Sequence, residues 1–412
     1  EAYYKQAINL LRSHRPLQSI LIDVINNLAD FYETINRFND ALLLSRENYG
    51  YIELLNGNTS EFLAANCNQQ ARLCEHLAQY SLAEPLYLQA LQIRKKIFGD
   101  KHADYAQSLN NLAGLYVSAG QLQKAEPLYL EAKEIWKVTI GEKSKDYTIC
   151  LNNLGSLYSD MGQYKKAELY YVESKEIRKN VFGENNPDYA TSLNNLASLY
   201  ESMGQYEKAE PLYLQAKEIR KKTLGETNNL YAISLNNLGS LYSSMGKLKK
   251  AEEFFLESMV IIRKNFGPNH ADFANSLNNL AVVYKDQGDY KKALSFFLES
   301  LEIRKKVLGE NHPDYAVSLN NLASLYESMG QYEKAEPLYL EAGQIWKKTL
   351  GENHPNYATN LITLAILYKE TGRYEKAEAL YKAANEIRKN VLGENHPDYA
   401  TGLNNLAVLY AK

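Results

Sequence analysis

The chain has 412 residues, a formal charge of −3 and three cysteines, Cys67, Cys74 and Cys150. A charge so near neutral gives no global field to draw nucleic acid or an anionic membrane, and no apolar run approaches the ~20 residues that span a bilayer. The cysteine count is small and odd, which excludes a disulfide scaffold and fits a reducing compartment. The first residues carry no basic region followed by an apolar stretch and a cleavage site, so no secretory signal is expected, and the expected location is cytoplasmic.

The organising feature is a period of 42 residues. Ser192–Leu214 reads SLNNLASLYESMGQYEKAEPLYL, and Ser318–Leu340 repeats that string three periods later. Tandem copies of one unit build a solenoid in which each unit touches its neighbours, so the usual division of a chain this long into globular domains does not apply. Such stacks offer long surfaces, which favours binding over chemistry.

In chain order, residues 1–15 read as the second helix of a preceding unit and residues 16–99 as two divergent helical hairpins. Residues 100–393 read as seven regular repeats, and residues 394–412 as a first helix with no partner, which makes nine full hairpins. Solenoids need polar capping units. A terminal Leu-Asn-Asn-Leu-Ala helix left half-covered reads as a cut, so the chain is expected to be a segment of a longer protein or a trimmed array.

Residues 184–225 show the unit. Asn185-Asn186-Pro187-Asp188 is a helix start, with polar capping residues, Pro near the first helical position and an acid in the first turn. Leu193, Leu196, Ala197 and Tyr200 follow on one helical face. Gly204 ends that helix, and a second begins near Tyr206 with a stripe of Ala209, Leu212, Tyr213, Ala216 and Ile219. Arg220, Lys221 and Lys222 occupy its last turn, where cations favour the helix dipole, and Gly225 closes it. Pro85, Pro127, Pro211 and Pro337 fall about a turn and a half into second helices, where a mild local bend is expected.

The register persists. An Asn pair recurs at Asn26/Asn27, Asn110/Asn111, Asn152/Asn153, Asn194/Asn195, Asn236/Asn237, Asn278/Asn279, Asn320/Asn321 and Asn404/Asn405. The pattern Leu-x-x-Leu-Ala-x-x-Tyr, then Gly-x-Tyr-x-x-Ala, then Tyr-x-x-Ala is carried by Leu193, Leu196, Ala197, Tyr200, Gly204, Tyr206, Ala209, Tyr213 and Ala216. It resembles the tetratricopeptide repeat. The 42-residue period with Leu-Asn-Asn-Leu-Ala and Ala-Glu-Pro-Leu-Tyr more specifically resembles the repeats of kinesin light chains and their bacterial relatives. The resemblance covers residues 17–412, weakly before residue 100. It implies an all-α, right-handed superhelical solenoid of antiparallel helix pairs whose first helices line a concave groove that binds peptides or extended protein segments.

On that resemblance the groove is lined by the Asn pairs and by the positions that follow them: Asn194, Asn195, Ser198, Glu201 and Ser202 in one unit, and Asn110, Asn111, Asn152, Asn153, Asn236, Asn237, Asn278, Asn279, Asn320 and Asn321 elsewhere. An amide both donates and accepts, so a ladder of Asn can hold a peptide backbone whatever its sequence. The same Asn residues can equally bond neighbouring helices and keep the stack in register. Specificity is sought where the monotony breaks. One such place is the mixed charged patch of Asp30, Glu33, Gln69, Arg72, Glu75 and His76. The other is Ile362 and Thr363, which replace the Asn pair, with Ile366 one turn on as a possible apolar pocket. Drift within the array is the alternative for both.

No catalytic or metal site is expected. His102, His270, His312, His354 and His396 share one repeat position just before a helix, which Asn186 and Asn228 occupy elsewhere, so that position caps helices; His14 and His76 are the others. Cys67 and Cys74 fall on core positions, and Cys150 matches Ser192. There is no CxxC, HExxH or phosphate-binding Gly loop. Acids such as Glu207, Glu210 and Glu218 read as solvating charge. The basic runs beginning at Arg94, Arg220 and Arg304 read as outer-layer residues beside acids, and a polar, neutral groove does not suit nucleic acid. Trp136 and Trp346 replace that Arg, either covering a neighbouring helix or marking an outer contact. The expectation is a non-enzymatic scaffold, the sensor or adaptor part of a larger protein, with a protein or peptide partner, no cofactor, no nucleic acid and no membrane. The competing class is the non-catalytic arm of an enzyme, a caspase-like protease or nucleotide-binding switch, whose catalytic domain lies outside this chain.

Overall fold

The computed structural model describes residues 1–12 and 17–411. Its helices fall into two units, Glu1–Cys150 and Leu151–Lys412. The first holds α1 (Ala2–Arg12), α2 (Gln18–Thr34), α3 (Phe38–Asn56), α4 (Glu61–His76), α5 (Tyr80–Phe98), α6 (Ala103–Ser118), α7 (Leu122–Thr139) and the start of α8 (Lys145–Asp160). The second holds the rest of α8, then α9 (Tyr164–Phe182), α10 (Pro187–Ser202), α11 (Tyr206–Leu224), α12 (Asn229–Ser244), α13 (Leu248–Phe266) and α14 (Ala271–Asp286). It continues with α15 (Tyr290–Leu308), α16 (Pro313–Ser328), α17 (Tyr332–Leu350), α18 (Pro355–Glu370), α19 (Tyr374–Leu392) and α20 (Pro397–Tyr410). Within each unit, successive helices pack against one another as hairpins.

Local chemistry places the boundaries. Asn186 Oδ1 accepts from Asp188 N at 2.7 Å, capping α10 with Pro187 at its first position. The five repeat-position histidines do the same through Nδ1: His102, His270, His312, His354 and His396 each accept from the backbone N–H two residues on. His14 lies outside the described residues. Gly204 turns the chain at φ +69° and Gly225 ends α11 at φ +85°, conformations that cost a Cβ-bearing residue about 1 kcal/mol or more. The second helices run through Pro85, Pro127, Pro211 and Pro337 without interruption.

Small residues let the paired helices close. Ala197, Ala209 and Ala216 are fully buried around Tyr213. Where Gly155 and Gly239 replace the Ala197 position, the rings of Tyr171 and Phe255 move into the vacated space, and a Cβ there would stand 2.6 and 2.7 Å from them. All three cysteines are buried, and burial pushes the Cys67 thiol up to about 11 and Cys150 to about 12, which leaves both unreactive.

Polar side chains join one hairpin to the next. First-helix tyrosines donate to second-helix glutamates 32 residues earlier: Tyr116 to Glu84, Tyr200 to Glu168, Tyr242 to Glu210, Tyr284 to Glu252 and Tyr368 to Glu336, at 2.6–3.0 Å. Glu210, read from sequence as solvating charge, is thus a structural acceptor.

The basic runs also differ from the expectation of an outer layer. Their first residue does not sit in the outer layer. Arg94, Arg178, Arg220, Arg304 and Arg388 are all buried. Each Nη1 donates to a carbonyl ten residues on, in the first turn of the next first helix: Asp104, Asp188, Leu230, Asp314 and Asp398. A guanidinium on a long stem can cross the seam that a Lys ammonium would leave for water. The same column holds Ile52, Trp136, Ile262 and Trp346, also buried, so the tryptophans fill the interior and mark no outer contact.

Candidate functional site

In the first unit, three successive first helices, α2, α4 and α6, open onto a cavity of about 550 Å³. Asp23, Asn26 and Asp30 line it from α2, Ala65, Asn68, Gln69 and Arg72 from α4, and Gln107 and Asn111 from α6. Ile22, Ile52, Asn66 and Arg94 complete the lining, and the exposed ring of Phe62 joins them. The helical period sets this composition. Asp23, Asn26 and Asp30 recur at three- and four-residue spacing, and so form one stripe along α2.

Of the charged patch, Asp30, Gln69 and Arg72 line this cavity while Glu33, Glu75 and His76 do not, and the patch is largely self-paired. Arg72 donates to both oxygens of Glu33 at 2.8 Å, and His76 Nε2 lies 3.6 Å from the same carboxylate. Burial raises the Glu33 pKa, but hydrogen bonds from His76 and Arg72 outweigh it and hold the group at about 2. Gln69 Nε2 donates to Asp30 Oδ1 at 2.9 Å, while its Oε1 accepts from Ser45 Oγ. Arg94 is bound to Glu61 through Nε and Nη2 and to Asp104 O and Ser108 Oγ through Nη1. Glu75 accepts from Tyr87 and Ser118, and the His76 ring stacks on Phe38 at 4.7 Å.

The amides divide into two kinds. Inside the first unit Asn48 Nδ2 donates to Asn26 Oδ1, Asn66 Nδ2 to Ser45, and Gln107 Nε2 to Asn111 Oδ1. Asn68 Oδ1 is buried and has no hydrogen-bond partner among the described residues. In the second unit, Asn152 and Asn194, the first members of their pairs, are buried. With their amides oriented to satisfy both groups, they accept from Arg178 and Arg220. Asn278, also buried, accepts from Asn321 Nδ2 at 2.9 Å, and Asn320 accepts from Thr363 at 3.3 Å. Asn110 is buried and Asn236 half-buried. The second members, Asn111, Asn153, Asn195, Asn237, Asn279 and Asn321, are half-buried.

Other sequence candidates fall in varied places. Ser198 and Ser202 are exposed. Glu201 accepts from Tyr213 at 3.0 Å and from Ser244 at 3.2 Å, and burial raises its pKa. Ile362 is buried among Leu361, Leu364 and Ala365, and half-buried Ile366 packs on the same cluster, so Ile362 fills the core rather than an open pocket. Sequence reasoning missed Asp23, Gln107 and Phe62. Asp23 was findable, because it stands one turn before the Asn26/Asn27 pair on the same stripe. Among the described residues no group of His, Cys, Asp or Glu could hold a metal, and no helix is long and apolar enough to cross a membrane.

The recurring hairpin decides the family. The tetratricopeptide repeat model matches residues 61–137, 109–180, 147–222, 188–264, 230–306, 272–342, 318–390 and 370–412. The chain belongs to the tetratricopeptide repeat family. No curated protein matches it. Among solved structures, this tetratricopeptide chain is similar to a Rap protein complexed with Competence and Sporulation Factor, at 16% identity and a TM-score of 0.59, over 90% of this chain and 99% of that one. At that identity the likeness shows the fold. It is also similar to BtubC (BKLC) from P. vanneervenii, at 26% identity and a TM-score of 0.44, over 57% of this chain and 92% of that one. A putative kinesin light chain from Podosopora anserina matches at 27% identity and a TM-score of 0.41, over 50% of this chain and 97% of that one. Tetratricopeptide repeats as a class support a protein-interaction scaffold.

Proposed function

We propose that this array is an adaptor that binds an extended segment of a partner protein in the trough formed by α2, α4 and α6. The observation that carries the reading is the row of amides facing one cavity: Asn26, Asn68, Gln69, Gln107 and Asn111. Side-chain amides both donate and accept, so successive amides can pair with successive peptide groups of an extended chain. The half-buried Asn195, Asn237, Asn279 and Asn321 offer the same chemistry to a partner within the second unit. The Rap neighbour was solved with Competence and Sporulation Factor, which accords with a ligand-binding use of such a fold.

A dodecapeptide display library panned on the full chain tests the reading. Selected peptides are expected to lose about tenfold or more in affinity for the Asn26→Leu/Asn111→Leu variant, which keeps its helical circular dichroism. Peptides that bind the variant as tightly as the parent would place the site elsewhere.

A further inference from the structure

We infer that the trough of the first unit selects a positively charged extended segment, one presenting arginine or lysine. The inference rests on the peptide-binding reading above and adds the class of ligand.

The charges that line the cavity are Asp23, Asp30, Arg72 and Arg94. Both guanidinium groups are already engaged. Arg72 makes a bidentate pair with Glu33, and Arg94 is bound to Glu61 and to two oxygens of α6. Neither cation is left to attract an acidic ligand. The carboxylates are differently placed: both are solvent-exposed, and Asp30 accepts from the neutral amide of Gln69 and feels the charge of Arg72 without pairing with it. They stand seven residues apart on one face of α2, about 10.5 Å along the axis. Once Arg72 and Arg94 are neutralised by Glu33 and Glu61, the cavity keeps these two negative charges.

Two further observations point the same way. Asn68 Oδ1 is a buried acceptor without a donor among the described residues, and a guanidinium or ammonium brings donors in excess. Phe62 is 64% exposed at the cavity, where its ring face can take a cation. Carboxylates, a spare acceptor and an exposed aromatic face together favour arginine or lysine and repel phosphate and carboxylate ligands.

The test uses the full chain and three fluorescein-labelled dodecapeptides of one Gly/Ser/Thr backbone, bearing three arginines, three glutamates or no charge. Anisotropy titrations at low salt are expected to give the arginine peptide at least about tenfold tighter binding than the neutral one. Added salt should shrink the gap. Asp23→Asn/Asp30→Asn, both conservative replacements on the exposed stripe, should abolish the preference and leave the melting midpoint unchanged. Phe62→Ala should reduce it. If neutral and arginine peptides bind the parent equally, or the glutamate peptide binds best, the inference is overturned while the peptide-binding reading stands. If no peptide binds, and library panning also yields none, that reading itself falls.

Discussion

Arg220 Nη1 lies 2.9 Å from Ser234 Oγ and 3.1 Å from Leu230 O, across the seam between α11 and α12. Its Nη2 reaches back to Thr191 Oγ1 at 3.0 Å, so one side chain joins α10, α11 and α12. Burial disfavours its charge and pulls its pKa down, and no carboxylate compensates. A buried charge held only by neutral groups is costly to keep but orders the helices it touches.

The expected consequence is asymmetric. Arg220→Ala removes the hydrogen bonds to Leu230 O, Ser234 Oγ, Thr191 Oγ1 and Asn194 and leaves a cavity, at about 2–4 kcal/mol. Arg220→Ile should cost distinctly less, because Ile262 already occupies the same column in a buried site and the uncompensated charge disappears. Denaturant melts with hydrogen exchange across α10–α12 read this out. Equal stability of the parent and both variants would show that the guanidinium joins nothing.

The Glu33 carboxylate gives the array an acid-labile component. Its pKa stands at about 2 against an ordinary 4.5 because His76 and Arg72 overcome its burial. A depressed carboxylate contributes stability that is present above the unfolded value and is lost as pH falls from about 4.5 toward 2. Since Arg72 is half-exposed, screening limits that contribution to about 1–2 kcal/mol. Glu33→Gln should therefore be less stable than the parent at pH 7 and converge with it near pH 2. Urea midpoints that differ by the same amount at both pH values would remove the linkage.

How much of this was legible from sequence depended on the range of the interaction. The hairpin, its caps and its stops are local, so Asn186, Pro187, Gly204 and Gly225 announced them, and the shared phase of five histidines marked them as caps. The fate of polar residues was not local. Glu210 and Arg220 carry the charges of surface residues, and nothing in their own helix reveals that their tips meet Tyr242 and Leu230 in the next hairpin. Asp30, Gln69 and Arg72 depart from the monotony of the repeat, and the structure does bring them to one cavity. That Arg72 and Arg94 arrive there already paired could be learned only from distances between helices. Ile362 misled because an apolar residue at a polar repeat position marks extra core as readily as an open pocket.

Gly162 offers the sharpest separation of conformation from contact. It adopts φ +68° in the turn between α8 and α9, as Gly204 does at φ +69° in the equivalent turn. Either glycine replaced by alanine should lose about 1 kcal/mol to the left-handed backbone alone. A Cβ on Gly204 would meet nothing within 4 Å, whereas one on Gly162 would stand 2.7 Å from His396 Cδ2 and 3.2 Å from Pro397 Cδ. Gly162→Ala should therefore destabilise the chain by about 1 kcal/mol more than Gly204→Ala, since overpacking costs about 1–3 kcal/mol. The excess should vanish on a His396→Ala background, where the imidazole is gone, while the Gly204→Ala cost stays as it was. Equal losses at the two glycines on the parent background would mean that the turn and the start of α20 do not touch in solution. A persistent excess without the His396 ring would assign the clash to Pro397 instead.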